Sequence, residues 1–319
     1  MLGHAVRYQG RGCRGAGKGI VDLNGFIVID KPRGFTSFDV VAKLRGAFMQ
    51  KRIGHGGTLD PMATGVLPVF LGNATRAADI LPDTKKRYVA TAKFGILTET
   101  GDVTGAVIEK NEAVCSCAEL ERAMAAIFGK QSQVPPMYSA LKIDGKRLYE
   151  LAREGKTVER LSRSIEIFDI ELLNFDEATR EFTFDVTCSK GTYVRTLAED
   201  IAKLCGLIAT LTALRRTRSG PFLESSCIQL EEACRAACDG GAKSMLRPIE
   251  DAFLPYRDVF LTASEKKAYL NGVSFCRAEF SDGAEEETVR TFCGSCFLGT
   301  ALITKDGTVK KQRQFFENT

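Results

Sequence analysis

A chain of 319 residues is long enough for one large or two ordinary domains with a substantial buried core. Hydrophobic residues at 44% and charged residues at 26% fit a soluble globular protein, and no apolar run approaches the roughly 20 residues of a membrane-spanning helix. A net charge of +4 is too mild to identify a nucleic-acid binder, so the placement of charge matters more than its sum.

Residues 1–19 carry Arg7, Arg11, Arg14 and Lys18 among glycines and no acid. They read as a flexible basic arm (1–23) that either follows a phosphate backbone or remains a solvated tail. No hydrophobic stretch follows these cations, so no secretory signal is expected. The eleven cysteines are scattered and odd in number, which points to reduced thiols and a cytoplasmic location.

In chain order, Gly25 to Asp30 is a short apolar run closed by Lys31-Pro32-Arg33-Gly34, which predicts a strand and a turn. Ser37 precedes Val40, Val41, Leu44 and Phe48 at helical spacing and is expected to cap a helix. The stretch 51–64 has no period and reads as a glycine-rich loop; Val66 to Leu71 follows as a buried strand. Tyr88, Ala90, Ala92 and Phe94 alternate with Val89, Thr91 and Lys93, the period of a half-buried strand. Further strands are expected near 105–109, 164–174 and 181–188, and helices over 118–128, 146–154, 193–205 and 228–238. Strands and helices do not alternate regularly, which favours an α+β domain with a mixed, mostly antiparallel sheet over a doubly wound one. Gly240, Gly241, Pro248 and Pro255 suggest a link, beyond which 258–319 reads as a small all-β module turning at Asn271-Gly272, Asp282-Gly283 and Asp306-Gly307.

Three segments have the composition of a site. Gly54-His55-Gly56-Gly57-Thr58-Leu59-Asp60-Pro61-Met62-Ala63-Thr64-Gly65 places one carboxylate in a loop of small residues, before a proline that restricts Asp60 to extended geometry. It reads either as a tight surface turn or as a loop that a ligand approaches closely. It lacks the Gly-Lys-Ser/Thr ending of a phosphate-binding loop and the Pro-Cys-x-x-Cys of a zinc deaminase. Cys188 to Leu197 runs from a strand end into a helix, where Arg195 either meets an anion or carboxylate through its planar fork or is an ordinary surface arginine. In residues 134–156, Tyr138 and Tyr149 interleave with Lys142, Lys146, Arg147, Arg153 and Lys156, a mixture suited to stacking bases and neutralising phosphates, or to a solvated helix face. Cys293-Gly-Ser-Cys296 has no partner pair at zinc spacing, so no metal is expected.

Six collinear motifs resemble the bacterial tRNA pseudouridine-55 synthase family, the TruB type. They are Asp30-Lys31-Pro32-x-Gly34-x-x-Ser37, Gly54 to Gly65 as quoted, Lys86-Arg87-Tyr88, Pro136 to Lys142, Gly191-Thr192-Tyr193-x-Arg195 and Leu214-Arg215-Arg216. The resemblance runs from about residue 24 to 222 and continues more weakly beyond. It implies a catalytic domain over 24–250, with 134–156 as a thumb-like loop that closes on RNA, and a small β-rich PUA-like domain over 251–319. It implies isomerisation of the T-loop uridine of tRNA without a cofactor: the glycosidic bond is cleaved, the base rotates, and it rejoins through carbon.

By the same resemblance Asp60 is the catalytic carboxylate. Tyr88 stacks on the target base and assists proton removal at carbon 5, and Arg195 pairs with the aspartate and favours its ionised form. Tyr193 and Leu214 line the uracil pocket, His55 fills the space that the flipped base vacates, and Lys31 and Pro32 support the catalytic loop. Lys142, Lys146 and Arg147 bind RNA. The expected partner is the T-stem-loop of tRNA, with no membrane and no obligatory protein partner. Two alternatives stand beside this reading: a tRNA-binding folding chaperone that uses the same surface without catalysis, and a closer kinship to the family's guide-RNA-dependent relatives.

Overall fold

The computed structural model describes residues 23–143, 145–281 and 285–315; the N-terminal cations and the Asp282-Gly283 turn lie outside these. The alternation read at Tyr88 to Phe94 produces the strand Lys86–Phe94, with Tyr88, Ala90, Ala92 and Phe94 buried on one side. It lies inside a ten-stranded sheet ordered Ile228–Gln229, Gly25–Lys31, Thr64–Leu71, Ala209–Ser219, Lys86–Phe94, Glu181–Cys188, Arg163–Asp176 and Gly129–Gln133. Ile53–His55 joins at Thr64–Leu71, and Phe222–Leu223 at Ala209–Ser219. Among these strand pairings only two are parallel, Gly25–Lys31 with Ile228–Gln229 and Ala209–Ser219 with Thr64–Leu71. The sheet is therefore mixed and mostly antiparallel, as expected.

Helices Cys117–Ala126 and Val194–Leu204 bury Leu120, Met124, Leu197 and Ile201 against Phe94, Phe182 and Phe184 of the sheet. Helices Ser37–Ala47 and Leu230–Ala236 close a second core on Ile27, Ile29, Leu67 and Val69. The first of these helices is capped one residue earlier than its sequence suggests. Thr36 accepts the Asp39 N–H while Asp39 accepts the Thr36 N–H, a reciprocal pair that releases Ser37 from capping.

Further expectations are corrected. Ala209–Ser219 is a central strand that was not expected, and the stretch read as a loop contains the strand Ile53–His55. The helix expected over 146–154 is the six-residue Leu148–Arg153, preceded by a ribbon pairing Lys142–Ile143 with Lys146–Arg147. The C-terminal module is a five-stranded sheet, ordered Asp258–Phe260, Glu287–Cys293, Cys296–Ile303, Thr308–Gln314 and Phe275–Cys276, and it also holds a helix, Ala263–Leu270. Asn271-Gly272 ends that helix instead of turning a hairpin. The smaller sheet is not loosely tethered: Phe297 and Phe315 enter one apolar cluster with Phe253, Phe26 and Phe70. No disulfide joins the ten cysteines among the described residues, and no helix of the described residues is long and apolar enough to cross a membrane.

At the parallel junction of Thr64–Leu71 with Ala209–Ser219, Gly65 has φ +100°, and a Cβ there would lie 2.2 Å from the Arg216 carbonyl oxygen. Left-handed strain and a backbone clash act together at this one position. Gly65→Ala is expected to cost roughly 2–4 kcal/mol, read as a lower melting temperature. An unchanged melt contradicts the close approach of these two strands.

Candidate active site

The loop between Ile53–His55 and Thr64–Leu71 carries Asp60, and five side chains hold it in place. Arg216 is fully buried in the neighbouring strand; its guanidinium donates to the carbonyls of Val66 at 2.7 Å and of Thr58 and Gly57, each at 3.2 Å. Ser37, released from capping, accepts the Leu59 N–H at 2.8 Å. Lys31 is fully buried and donates to the carbonyls of Phe35 at 2.6 Å, Pro32 at 2.9 Å and Pro61 at 3.4 Å. Burial pulls the Lys31 ammonium down to about 8, and the nearby Asp60 carboxylate opposes that fall. Leu59 and Met62, on either side of Asp60, are anchored in the core.

Arg195 is the fourth side chain. Tyr193 and Arg195 open the helix Val194–Leu204, and the Gln133 amide clamps the Tyr193 backbone, accepting its N–H at 2.8 Å and donating to its carbonyl at 3.1 Å. The Arg195 side chain is 4% exposed. Its Nε lies 2.9 Å from Asp60 Oδ2 and its Nη2 donates to Oδ1 at 3.3 Å, a two-point grip on the carboxylate. Its remaining donors reach the Thr100 carbonyl at 2.6 Å and the Tyr138 carbonyl at 2.8 Å. The guanidinium thus ties the loop of Asp60 to the base of the 134–156 segment.

Asp102 is the fifth, and reading the sequence missed it. Its carboxylate is 5% exposed, lies 3.8 Å from Arg195 Nε, and accepts the Thr100 hydroxyl at 2.8 Å and the Thr104 N–H at 2.9 Å. The signal that was available is Thr100-Gly101-Asp102-x-Thr104, a side-chain-capped turn. Gly101 has φ +72°, and a Cβ there would lie 2.7 Å from Glu199 Oε1 and 3.3 Å from the Arg195 Cβ, so a side chain at this turn is strained.

Asp60 opens into a cleft of about 270 Å³ lined by Tyr88, Tyr193, Leu214, Ser139, Leu141, Thr192 and Lys86 among others. Tyr88 and Leu214 project from adjacent central strands. Burial drives the Tyr88 phenol up to about 12, with Arg216 opposing, so it keeps its proton through the neutral range. Asp60, Tyr88, Tyr193, Arg195 and Leu214 are brought together. His55 is not among the residues that line the cleft; its Nδ1 accepts the Gly57 N–H at 3.4 Å. Burial, Arg216 and Lys86 all lower its pKa, so it is neutral. Pro32 lies under the loop with Lys31. Lys142, Lys146 and Arg147 stand exposed on the ribbon, where Lys142 and Arg147 are directly opposed. Among the described residues no three His, Cys, Asp or Glu side chains converge as metal ligands.

A carboxylate held at two points, a neutral phenol and apolar walls, in a cleft with room for one base and its sugar, make a site for chemistry on a flat ring drawn out of its stack. The fold matches one in a solved Cbf5–Nop10–Gar1 complex, with TM-score 0.69 and 25% identity over 92% of this chain and 85% of that one. It also matches one in an H/ACA RNP bound to a substrate RNA containing 2′-deoxyuridine, with TM-score 0.67 and 24% identity. A family model described as the TruB family pseudouridylate synthase N-terminal domain matches residues 45–194, and one for the tRNA pseudouridylate synthase B C-terminal domain matches 195–254. The tRNA pseudouridine synthase B of Francisella tularensis subsp. novicida is 41% identical over 94% of this chain and 97% of its own length; that of Cupriavidus metallidurans is 39% identical over 92% and 94%. The chain belongs to the TruB family of pseudouridylate synthases.

Proposed function

We propose that the chain isomerises the T-loop uridine of tRNA, position 55, to pseudouridine, with Asp60 as the reacting carboxylate and no cofactor. The observation that carries this is the two-point grip of Arg195 on Asp60 in a cleft of about 270 Å³. That grip holds the carboxylate in one orientation before substrate arrives, which is where the rate advantage of a built site comes from. Asp60 either adds to the sugar or base or takes a proton as the base detaches. Tyr88 stacks on the base as a neutral phenol and assists proton removal at carbon 5. Tyr193 and Leu214 bound the uracil, and Arg195 orients Asp60. Lys31 and Pro32 support the loop, and His55 props the T-loop where the base has left it. A chaperone gains nothing from a carboxylate oriented in this way, which favours the enzyme.

Residues 24–250 serve as the catalytic domain in this reading, 134–156 as its thumb, and 251–319 as a PUA-like RNA-binding domain. The chain works in the cytoplasm without an obligatory protein partner. The test is incubation with full-length unmodified tRNA followed by pseudouridine mapping. One new pseudouridine in the T-loop supports the proposal; modification elsewhere, or none, overturns it.

The thumb makes a separate prediction. Like charges directly opposed on a ribbon repel, so Lys142 and Arg147 call for an anion between or above them. RNA affinity is expected to fall with salt, and replacing Lys142, Lys146 and Arg147 by Ala is expected to make the log–log slope shallower by roughly 2, at about 0.7 per phosphate contact. A titration with unchanged slope would leave these side chains no role on RNA.

A further inference from the structure

Among the described residues, three cations close to Asp60 are occupied. Arg195 spends its donors on Asp60, Thr100 and Tyr138, Arg216 on three loop carbonyls, and Lys31 on three more. Lys86 lines the same cleft and forms no hydrogen bond or ion pair among the described residues. It lies two residues before Tyr88 on the same strand and so on the same side of the sheet. Its Nζ would be 3.0 Å from a Cβ at Gly57, so the missing side chain of that glycine is what leaves room for the ammonium under the catalytic loop.

The charged side chains that act most strongly on Lys86 share its sign. Arg216 and Lys190 repel it, His55 is neutral, and its neighbour Cys188 across the sheet is a thiol kept protonated by burial, at about 11. Desolvation, with Arg216 adding to it, lowers the Lys86 ammonium to about 8. An unpaired, desolvated cation lowers stability. Such a group is kept where a ligand completes it, and the ligand an ammonium completes best is an anionic oxygen.

We infer that Lys86 takes a backbone phosphate flanking the flipped uridine, fixing the nucleotide so that its base lies between Tyr88 and Asp60. This rests on the reading of the cleft as a uridine site in RNA, whose anionic oxygens are its phosphates. The contact does its work at the nucleotide that reacts, unlike the thumb cations, which meet the RNA outside the cleft.

The experiment uses the full chain and a T-stem-loop RNA carrying a neutral methylphosphonate either 5′ or 3′ of the target uridine. Wild type, Lys86→Met and Lys86→Arg are compared in dissociation constant and single-turnover rate. Neutralising one of the two phosphates is expected to weaken wild type by about 10- to 100-fold, the size of one charge-assisted hydrogen bond. Lys86→Met should show that loss on native RNA and no further loss on the neutralised RNA, the non-additivity of a direct contact. Lys86→Arg should recover most of the native behaviour. Lys86→Met should melt no lower than wild type, since it removes an unpaired, half-buried charge. Losses that multiply at both phosphates, or native behaviour in Lys86→Met, would overturn the inference. So would a lowered melt of Lys86→Met without coupling to either phosphate. Because coupling is read in binding as well as rate, a wild type that binds and does not convert counts against the uridine-isomerase reading alone.

Discussion

Asp60→Asn is expected to abolish conversion while leaving RNA binding nearly intact. The amide keeps the volume of the carboxylate, loses its charge, and has one oxygen where the acid has two. It neither adds to a sugar or base nor takes a proton at neutral pH, and loss of a group acting in that way slows an enzyme by about 10⁴-fold or more. Affinity should change by less than about threefold, because phosphate contacts dominate RNA binding and Asp60 makes none. The stability cost should be small, about 1 kcal/mol, because Arg195 keeps two carbonyls and the Asp102 carboxylate. The paired readout is pseudouridine formed in a single turnover and the dissociation constant for the same stem-loop. Near-native conversion removes Asp60 from the mechanism.

Arg195→Met is expected to damage both the fold and the chemistry. The guanidinium is the only group in the described structure that joins Asp60, Asp102, the Thr100 carbonyl and the Tyr138 carbonyl. Its removal leaves the buried Asp102 without a counter-charge, and breaking a buried pair in this way costs roughly 3–5 kcal/mol. The rate should fall by roughly 10²- to 10³-fold, the loss seen when one preorganised charge or donor is removed from a reacting site. Binding should weaken far less. If single-turnover conversion survives and only the dissociation constant rises, Arg195 is a phosphate contact and the grip on Asp60 is incidental. A melt unchanged from wild type contradicts the tie between the four groups.

Much of the sheet was legible because its apolar residues keep the period of a strand. Tyr88 to Phe94 was placed on that ground, and the strands expected near 164–174 and 181–188 form as Arg163–Asp176 and Glu181–Cys188. Ala209–Ser219 escaped because it is central and yet polar, Ala-Thr-Leu-Thr-Ala-Leu-Arg-Arg-Thr-Arg-Ser. Arginine ordinarily reads as surface, and nothing local reveals that Arg216 is fully buried by three carbonyls some 150 residues away in sequence. Bulges after Leu211 and Arg216 also interrupt the period. In the C-terminal module, Thr262-x-x-Glu265 was a readable capping box, yet Asn271-Gly272 was weighed as a hairpin and the helix was lost.

The site divides in the same way. Local composition marked Asp60 as unusual, but its role and that of Arg195 came from the collinear motifs, because 135 residues separate two side chains that touch. Asp102 and Lys86 had no such guide to their roles. A buried acid on a turn and a lysine on a strand are common, and only the assembled cleft shows that one faces Arg195 and the other has no partner.

The most direct test of the central claim is a single turnover of the unmodified T-stem-loop by the wild-type chain, in buffer treated with a chelator and with nothing else added. The amount of RNA bound is measured in the same reaction. An oriented carboxylate that suffices for the chemistry predicts that all of the bound stem-loop acquires pseudouridine at its T-loop uridine. RNA that is bound tightly and released with that uridine unchanged would contradict the account and leave a protein that opens the T-loop without reacting with it.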